Sequence, residues 1–304
     1  MRFLDFIIVI AFLGFLFTGA YFLWAYYPSE EVNFEEYNAE EIANLPIKSS
    51  QFYPNMRYTS NNIDYLVDSD CSVKKQKDME RAIAILESQT ILNFRESKFP
   101  QIVITCSNLA PTAEQEDHFV AGEGGPSEVI NSSTYPVILS GQIALYRPEK
   151  CETPQVALHE MLHALGFDHN SNKESIMYPI TNCEQTLDDE IIDEINSLYS
   201  IPSQPDLLIE SIKANKTGRY LNFEIIITNK GLKDSSAFTL NVYSEDNSLI
   251  KEFEIGEIKI GAKRKLSVDN LQVPRTTKSI TFKIENIEEE LSIGNNEVRI
   301  STTS

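Results

Sequence analysis

HEMLHALGFDH, at residues 159–169, concentrates three of the four histidines of the 304-residue chain in eleven positions. On a helix, His159 and His163 are one turn apart and project from the same face, so both imidazoles can reach one zinc ion at about 2.0–2.1 Å. Gly166 lets the backbone turn away after the helix, which brings His169 back as a third ligand. The stretch therefore predicts one zinc site rather than three unrelated histidines on an ordinary helix.

Glu160 follows the first histidine and would lie beside such a metal ion. Three neutral ligands leave the double charge of zinc uncompensated, which lowers the pKa of a zinc-bound water to about 7. Glu160 can take the proton of that water and later deliver it to a leaving amine. The motif therefore predicts a zinc hydrolase with Glu160 as its catalytic acid and base. We favour a metalloendopeptidase that hydrolyses peptide bonds in protein or peptide substrates, and a zinc hydrolase acting on another kind of bond is the alternative.

The same residues resemble a known family. They match the full pattern HExxHxxGxxH and so resemble the metzincin clan of zinc peptidases. SIMYP, at residues 175–179, resembles the methionine turn of that clan, and its spacing after His169 is similar to that of the matrixin group. The resemblance implies that Met177 forms an apolar floor beneath the ligands, with Gly166 and Tyr178 as supporting residues.

The resemblance covers a predicted α+β domain over 51–201, a metzincin-type fold with a mixed sheet and long helices. It implies that residues 141–145 belong to the antiparallel edge strand on which an extended peptide binds, and an ordinary sheet edge is the alternative. Asn170 follows the third histidine where matrixins usually have serine. Because no pro-segment cysteine of the matrixin kind precedes the catalytic region, latency through a thiolate on zinc is not predicted.

Local patterns predict the elements of this domain. Thr153 and Pro154 are typical of a helix start and Gly166 of a left-handed helix end, so the zinc helix is expected over 155–165. The other expected elements are a strand at 62–67, a helix buried through Met79, Ala82, Ile83 and Leu86, a strand at 101–106, a glycine-rich loop at 122–126, one or two strands at 136–146, and a helix from Thr186 to about Ser200.

After a Pro/Ser linker at 202–205, the pattern changes to short strands separated by turns, which predicts an all-β immunoglobulin-like sandwich over 202–304. PDLLIESI, ITNKG and GNNEV within it resemble the adhesion-related CARDB modules of microbial surface proteins. Such a module implies a spacer, a substrate-docking unit or a contact with a surface partner. No catalytic constellation is found there.

The first residues predict a membrane anchor. FIIVIAFLGFLFTGAYFLWAYY, at 6–27, has no charge, and its length of about 33 Å suffices for a bilayer core of about 30 Å. A retained anchor is favoured over a cleavable signal, because the apolar run continues past a possible cleavage site at 18–20. Arg2 precedes the span and an acidic stem at 28–50 follows it. The sequence thus predicts a single-pass protein of the cell membrane with residues 1–5 in the cytoplasm and its ectodomain outside.

Four cysteines, none in a CxxC pair, follow this span and predict two disulfides in an oxidising compartment. Three pairings are possible, and free buried thiols are a further alternative. We favour Cys71 with Cys106 and Cys151 with Cys183, because each pair closes a moderate loop around one structural block.

The chain carries 45 acidic and 26 basic residues, a formal charge of -19, which argues against nucleic-acid binding. The fourth histidine, His118, lies near Glu114, Glu116 and Asp117, where either a second, structural metal site or a solvated polar loop is possible.

A surface adhesion protein with a degenerate metal domain is the competing function. A decayed enzyme would lose Glu160 or a ligand first, so the intact motif favours the enzyme.

Overall fold

The computed structural model describes residues 3–26, 31–39, 49–111, 120–132, 134–147, 149–285 and 288–303. The chain folds into an α+β domain followed by a β-sandwich, and each has its own buried apolar core. This confirms the predicted fold class for the two domains.

The first domain is a mixed six-stranded sheet packed against helices. Its elements are β3 (Arg57–Tyr58), β4 (Asn62–Val67), α2 (Val73–Gln89), β5 (Asn93–Glu96), β6 (Ile102–Cys106), β7 (Gly122–Asn131), β8 (Pro136–Leu145), α3 (Gln155–Ala164) and α4 (Asp189–Ser200). The strand order is β3-β8-β6-β4-β5, and these neighbours are parallel. Apolar residues of β4, β6, α2, α3 and α4 form one core, so the sheet and helices are held together by burial of hydrophobic surface.

The edge strand differs from the prediction. Residues 141–145 belong to β8, which lies between β6 and β7 and is therefore not an edge. The antiparallel strand is β7, with the sequence GEGGPSEVIN, and its first residues, 122–126, were interpreted as a loop because glycine and proline disfavour strands. Pairing with β8 along its length and packing against α3 outweigh this low propensity.

The N-terminal caps of two helices differ from the prediction. The hydroxyl of Thr153 does not cap α3; instead the buried carboxylate of Glu149 accepts the backbone N–H of Val156 at 2.9 Å, and a carboxylate is a stronger acceptor near a helix N-terminus. The last helix begins at Asp189, after Asp188, because Thr186 forms a β-bridge with Ser175 and cannot adopt helical geometry.

The first helix, α1, extends over Phe3–Tyr26, and its side chains are described for residues 7–22. In the part of the chain that is described, no helix is both long and apolar enough to cross a membrane. Helix α1 covers most of the predicted span at 6–27. The function of this segment as a membrane anchor stays a prediction.

The second domain is a sandwich of two antiparallel sheets. Its strands are β9 (Leu207–Thr217), β10 (Tyr220–Asn229), β11 (Phe238–Tyr243), β12 (Leu249–Ile255), β13 (Lys263–Gln272), β14 (Ser279–Glu285) and β15 (Glu297–Ser301). One sheet contains β9-β10-β13 and the other has the order β12-β11-β14-β15. Apolar side chains from both sheets form the core between them.

The N-terminal segment is part of this second domain. Strands β1 (Glu31–Asn33) and β2 (Tyr37–Asn38) pair antiparallel with β9. Between them Phe34 is 5% exposed and lies in the sandwich core, and its N–H donates to the carbonyl of Ala214 at 3.0 Å. The predicted stem at 28–50 is therefore not a simple spacer, since residues 31–38 complete a sheet that begins more than 160 residues later in the chain.

We expect Phe34→Ala to destabilise the second domain by about 3–5 kcal/mol, because it removes a buried aromatic ring and leaves a cavity. Glu35→Ala is the control, since Glu35 is exposed and contributes its backbone N–H to Ser301 rather than its side chain. Calorimetric unfolding of the full chain measures both. Equal transitions for the two variants would show that the N-terminal strand adds nothing to the sandwich.

Candidate metal centre

The structure brings the three predicted histidines together. His159 and His163 project from one face of α3, and His169 reaches them from the following loop. Their Nε2 atoms form a triangle with sides of 3.0 Å between His159 and His163, 3.1 Å between His163 and His169, and 3.2 Å between His159 and His169. Among the described residues, this is the group of side chains that could hold a metal ion.

Hydrogen bonds to backbone carbonyls fix which nitrogen of each helical imidazole faces the centre. Nδ1 of His159 donates to the carbonyl of Ile176 at 2.6 Å, and Nδ1 of His163 donates to the carbonyl of Phe167 at 2.8 Å. Because a carbonyl only accepts, both protons sit on Nδ1 and both Nε2 lone pairs point inward. Two lone pairs that face each other at 3.0 Å fit a cation bound between them.

The triangle fits zinc. Tetrahedral ligands at about 2.05 Å from the ion are about 3.3 Å apart, close to the observed separations. His159 and His163 are buried whereas His169 is exposed, so the site is open to solvent on one side. Burial, the main cause, lowers the pKa of His159 to about 4, and it also lowers the pKa values of His163 and His169. All three imidazoles are thus neutral near pH 7, as metal ligation requires.

Glu160 is buried beneath strand β7. Burial, and secondly the charge of Glu123, raises its pKa to about 8. A Cβ atom on Gly122 would lie 2.7 Å from Cγ of Glu160, and one on Gly124 would lie 2.3 Å from its backbone oxygen. The two glycines therefore let the edge strand rest directly on the turn of helix that carries this carboxyl group. Their role was missed in the sequence, where they only indicated a loop.

The chain turns sharply after α3, as predicted. Gly166 has φ +98°, the left-handed region in which a side chain would be strained. Residues 49–52 run beside this turn: the carbonyl of Ser50 accepts the N–H of Asp168 at 2.8 Å, and the ring of Phe52 stacks on His163 with centroids 5.8 Å apart. The end of the predicted stem therefore supports the loop that delivers His169, which the sequence did not indicate.

The predicted methionine turn lies next to the ligands. Met177 is fully buried in the domain core, and the N–H of Tyr178 closes the turn on the carbonyl of Ser175 at 3.1 Å. The role of Met177 as an apolar floor beneath the ligands stays a prediction. Asn170 ties the third ligand to this turn: its N–H donates to the carbonyl of Met177 at 2.9 Å and its Nδ2 to Oγ of Ser175 at 2.7 Å. A serine side chain at 170 has no amide group and could not make this Nδ2 bond.

Comparison with known proteins agrees with this geometry. Residues 57–200 match the family model of matrixin, peptidase family M10. This part of the chain is similar to a matrixin-type metallopeptidase domain. Residues 204–298 match the CARDB family model. Both resemblances found in the sequence are thereby confirmed, and the CARDB match begins well after the N-terminal strands that complete its sheet here.

Similar proteins match only parts of the chain. Stromelysin-1 of Rattus norvegicus is 38% identical over 66 residues, which are 20% of this chain and 14% of the stromelysin. Stromelysin-1 of Mus musculus is 36% identical over 66 residues, which are likewise 20% of this chain and 14% of the stromelysin. The chain therefore spans about a seventh of these relatives. The CARDB domain of the PF1109 protein from Pyrococcus furiosus, in complex with di-metal ions, is 20% identical with a TM-score of 0.27, covering 33% of this chain and 88% of that one.

Both predicted disulfides are present in the matrixin domain, and no cysteine is free. Cys71 joins Cys106, which links the start of α2 to the end of β6. Cys151 joins Cys183, so one bond encloses the metal helix, His169 and the methionine turn. The suggested second metal site around His118 lies outside the described residues.

Removal of Cys151–Cys183 by serine substitution should lower the free energy of unfolding by about 4 kcal/mol in the chain-entropy model, given its separation of 32 residues. The control is removal of Cys71–Cys106, whose separation of 35 residues predicts a similar loss. Only the first bond encloses the ligands, so only its removal should weaken zinc retention during dialysis. Equal zinc contents in the two variants would show that the disulfide does not support the metal centre.

Proposed function

We propose that this chain is a zinc metalloendopeptidase and that residues 159–169 carry its chemistry. The convergence of three Nε2 atoms 3.0–3.2 Å apart, with a buried glutamate next in sequence to the first ligand, is the observation that supports it. An intact ligand set with this glutamate favours an enzyme over an adhesion protein that has lost activity.

The residues have distinct roles in this proposal. His159, His163 and His169 would hold one zinc ion, which would act as the Lewis acid that activates water and polarises the carbonyl of the scissile bond. Glu160 accepts a proton from the attacking water and donates it to the nitrogen of the leaving amine. In the metal-free chain the pKa of Glu160 is about 8, and a nearby dication favours its ionised form, which can accept that proton.

Substrate binding is proposed along β7. Among the described residues, β7 pairs with β8 alone, so along residues 122–126 its other edge faces no second strand and can offer backbone N–H and C=O groups. An extended peptide that adds to this edge gains backbone hydrogen bonds with little dependence on its sequence. Because β7 rests on Glu160, such a peptide lies beside the metal centre.

Cleavage of an unfolded protein by the purified full chain tests this function. We expect fragments to form, a zinc chelator to stop the reaction, and added zinc to restore it. Cleavage that continues in the chelated, zinc-depleted protein would exclude the proposed chemistry. Binding without any cleavage would favour the adhesion protein instead.

We further propose, from the sequence, that residues 6–27 anchor the protein in a membrane with both folded domains outside the cell. The support is the sequence: 22 uncharged residues, preceded by Arg2 and followed by six glutamates between 28 and 50. Under this proposal the CARDB domain, joined through β1 and β2 to the end of α1, is nearest the membrane and serves as a spacer or partner-binding unit. Protease added to intact cells should digest both domains. Protection of both would contradict the orientation.

A further inference from the structure

Strand β7 carries an acidic side chain next to the proposed active site. Glu123 lies between Gly122 and Gly124, whose Cβ positions face Glu160. Side chains alternate along a strand, so Glu123 projects from the opposite face of β7, where it is exposed. Glu123 is thus the residue between the two glycines that contact Glu160, and its side chain is accessible to solvent.

A hydrogen bond from Tyr146 positions the carboxylate of Glu123, and no described lysine or arginine forms an ion pair with it. The hydroxyl of Tyr146 donates to its Oε2 at 2.7 Å, and this bond is the main reason that the pKa of Tyr146 is raised to about 12. Tyr146 therefore remains a donor throughout the physiological range. None of the ion pairs among the described residues includes Glu123. The segment just before β7, TAEQEDHF at 112–119, has three acidic residues and no lysine or arginine.

A peptide strand on the free edge of β7 would place one side chain opposite Glu123. Directly opposite residues of neighbouring strands have Cβ atoms about 4.5–5.5 Å apart on the same face, where opposite charges attract and like charges repel. With about 3.3 Å per residue, a peptide residue opposite Glu123 is within about two positions of the bond that faces Glu160.

We propose that Glu123 determines specificity by selecting a lysine or arginine in the substrate within two residues of the scissile bond. This inference rests on the proposed peptidase function. The recognised group is the cationic end of a flexible side chain, which can reach the oxygen of Glu123 that Tyr146 leaves free. An acidic residue at the same substrate position is disfavoured.

Matched peptides test this selection on the full-length zinc-loaded protein. They differ only in carrying lysine, glutamine or glutamate at each of the two positions on either side of one cleavable bond. At one position we expect kcat/KM to be about two- to five-fold higher for lysine than for glutamine, and lowest for glutamate, as exposed cross-strand charge pairs allow. Raising the salt concentration should reduce the difference.

Variants assign this preference to one residue. Glu123→Gln keeps an acceptor for Tyr146 but removes the charge, so the lysine-to-glutamine ratio should fall to about one, and Glu123→Lys should reverse the order of lysine and glutamate. Glu128→Gln is the control, an exposed glutamate of the same strand farther along, and should keep the wild-type ratio.

Two negative results are distinguishable. Cleavage with the same lysine preference in Glu123→Gln, or with no charge preference in the wild type, would overturn the role of Glu123 and leave the peptidase function standing. Failure of the wild type to cleave any peptide or unfolded protein would overturn both.

Discussion

Replacement of Glu160 by glutamine is expected to lower kcat by about 100- to 10,000-fold while the protein keeps its zinc. Glutamine has nearly the same shape, so it fits beneath Gly122 and Gly124, but it cannot accept or deliver a proton. The three imidazoles and their backbone hydrogen bonds are unchanged, so the metal content should stay at the wild-type value. Turnover and zinc content are measured on the same preparation.

His163→Ala is the matched comparison, because it removes a ligand from the same helix instead of the proton carrier. Zinc and activity should be lost together in this variant, whereas Glu160→Gln separates them. Wild-type turnover in Glu160→Gln would show that another group moves the proton. Loss of zinc in that variant would show that Glu160 supports the ligands rather than the chemistry.

Gly124→Ala should lower kcat/KM by about 100-fold and destabilise the first domain by about 1–3 kcal/mol. The new Cβ atom would lie 2.3 Å from the backbone oxygen of Glu160, and a helix backbone cannot move aside as a side chain can. Strand β7 must therefore shift away from α3, which costs packing and displaces the edge on which the substrate binds.

Gly125→Ala separates this contact from the general effect of losing a glycine in the strand. Its Cβ would meet nothing within 4 Å, so the change in stability should be within about 0.5 kcal/mol. Thermal unfolding and peptide cleavage of both variants provide the test. Similar losses in the two would mean that the close approach of β7 to Glu160 is unimportant.

Much of the first domain could be predicted, because its metal ligands and several of its helices and strands are determined by residues close together in the sequence. Helix geometry places His159 and His163 on one face, and Gly166 turns the chain so that His169 returns to them; the motif alone therefore predicts where the imidazoles meet. Strand β4 and helix α2 follow from apolar periodicity. The cysteine pairs were predictable because short loops favoured one of three pairings.

The elements that could not be predicted depend on distant parts of the chain. Strand β7 has a loop-like composition, and its glycines have meaning only once Glu160 lies against them. Nothing near Phe34 in sequence indicates that its partner is β9. Asn170 was interpreted only as a departure from the family, and its bonds to the methionine turn are visible only in the fold.

Zinc titration of the metal-stripped full chain, with peptide cleavage followed in parallel, tests the metal centre most directly. Our interpretation predicts that one equivalent binds, that cleavage rises linearly and stops rising at that point, and that His163→Ala shows neither change. Cleavage by the stripped protein, or a wild type that gains no activity when one equivalent has bound, would contradict it.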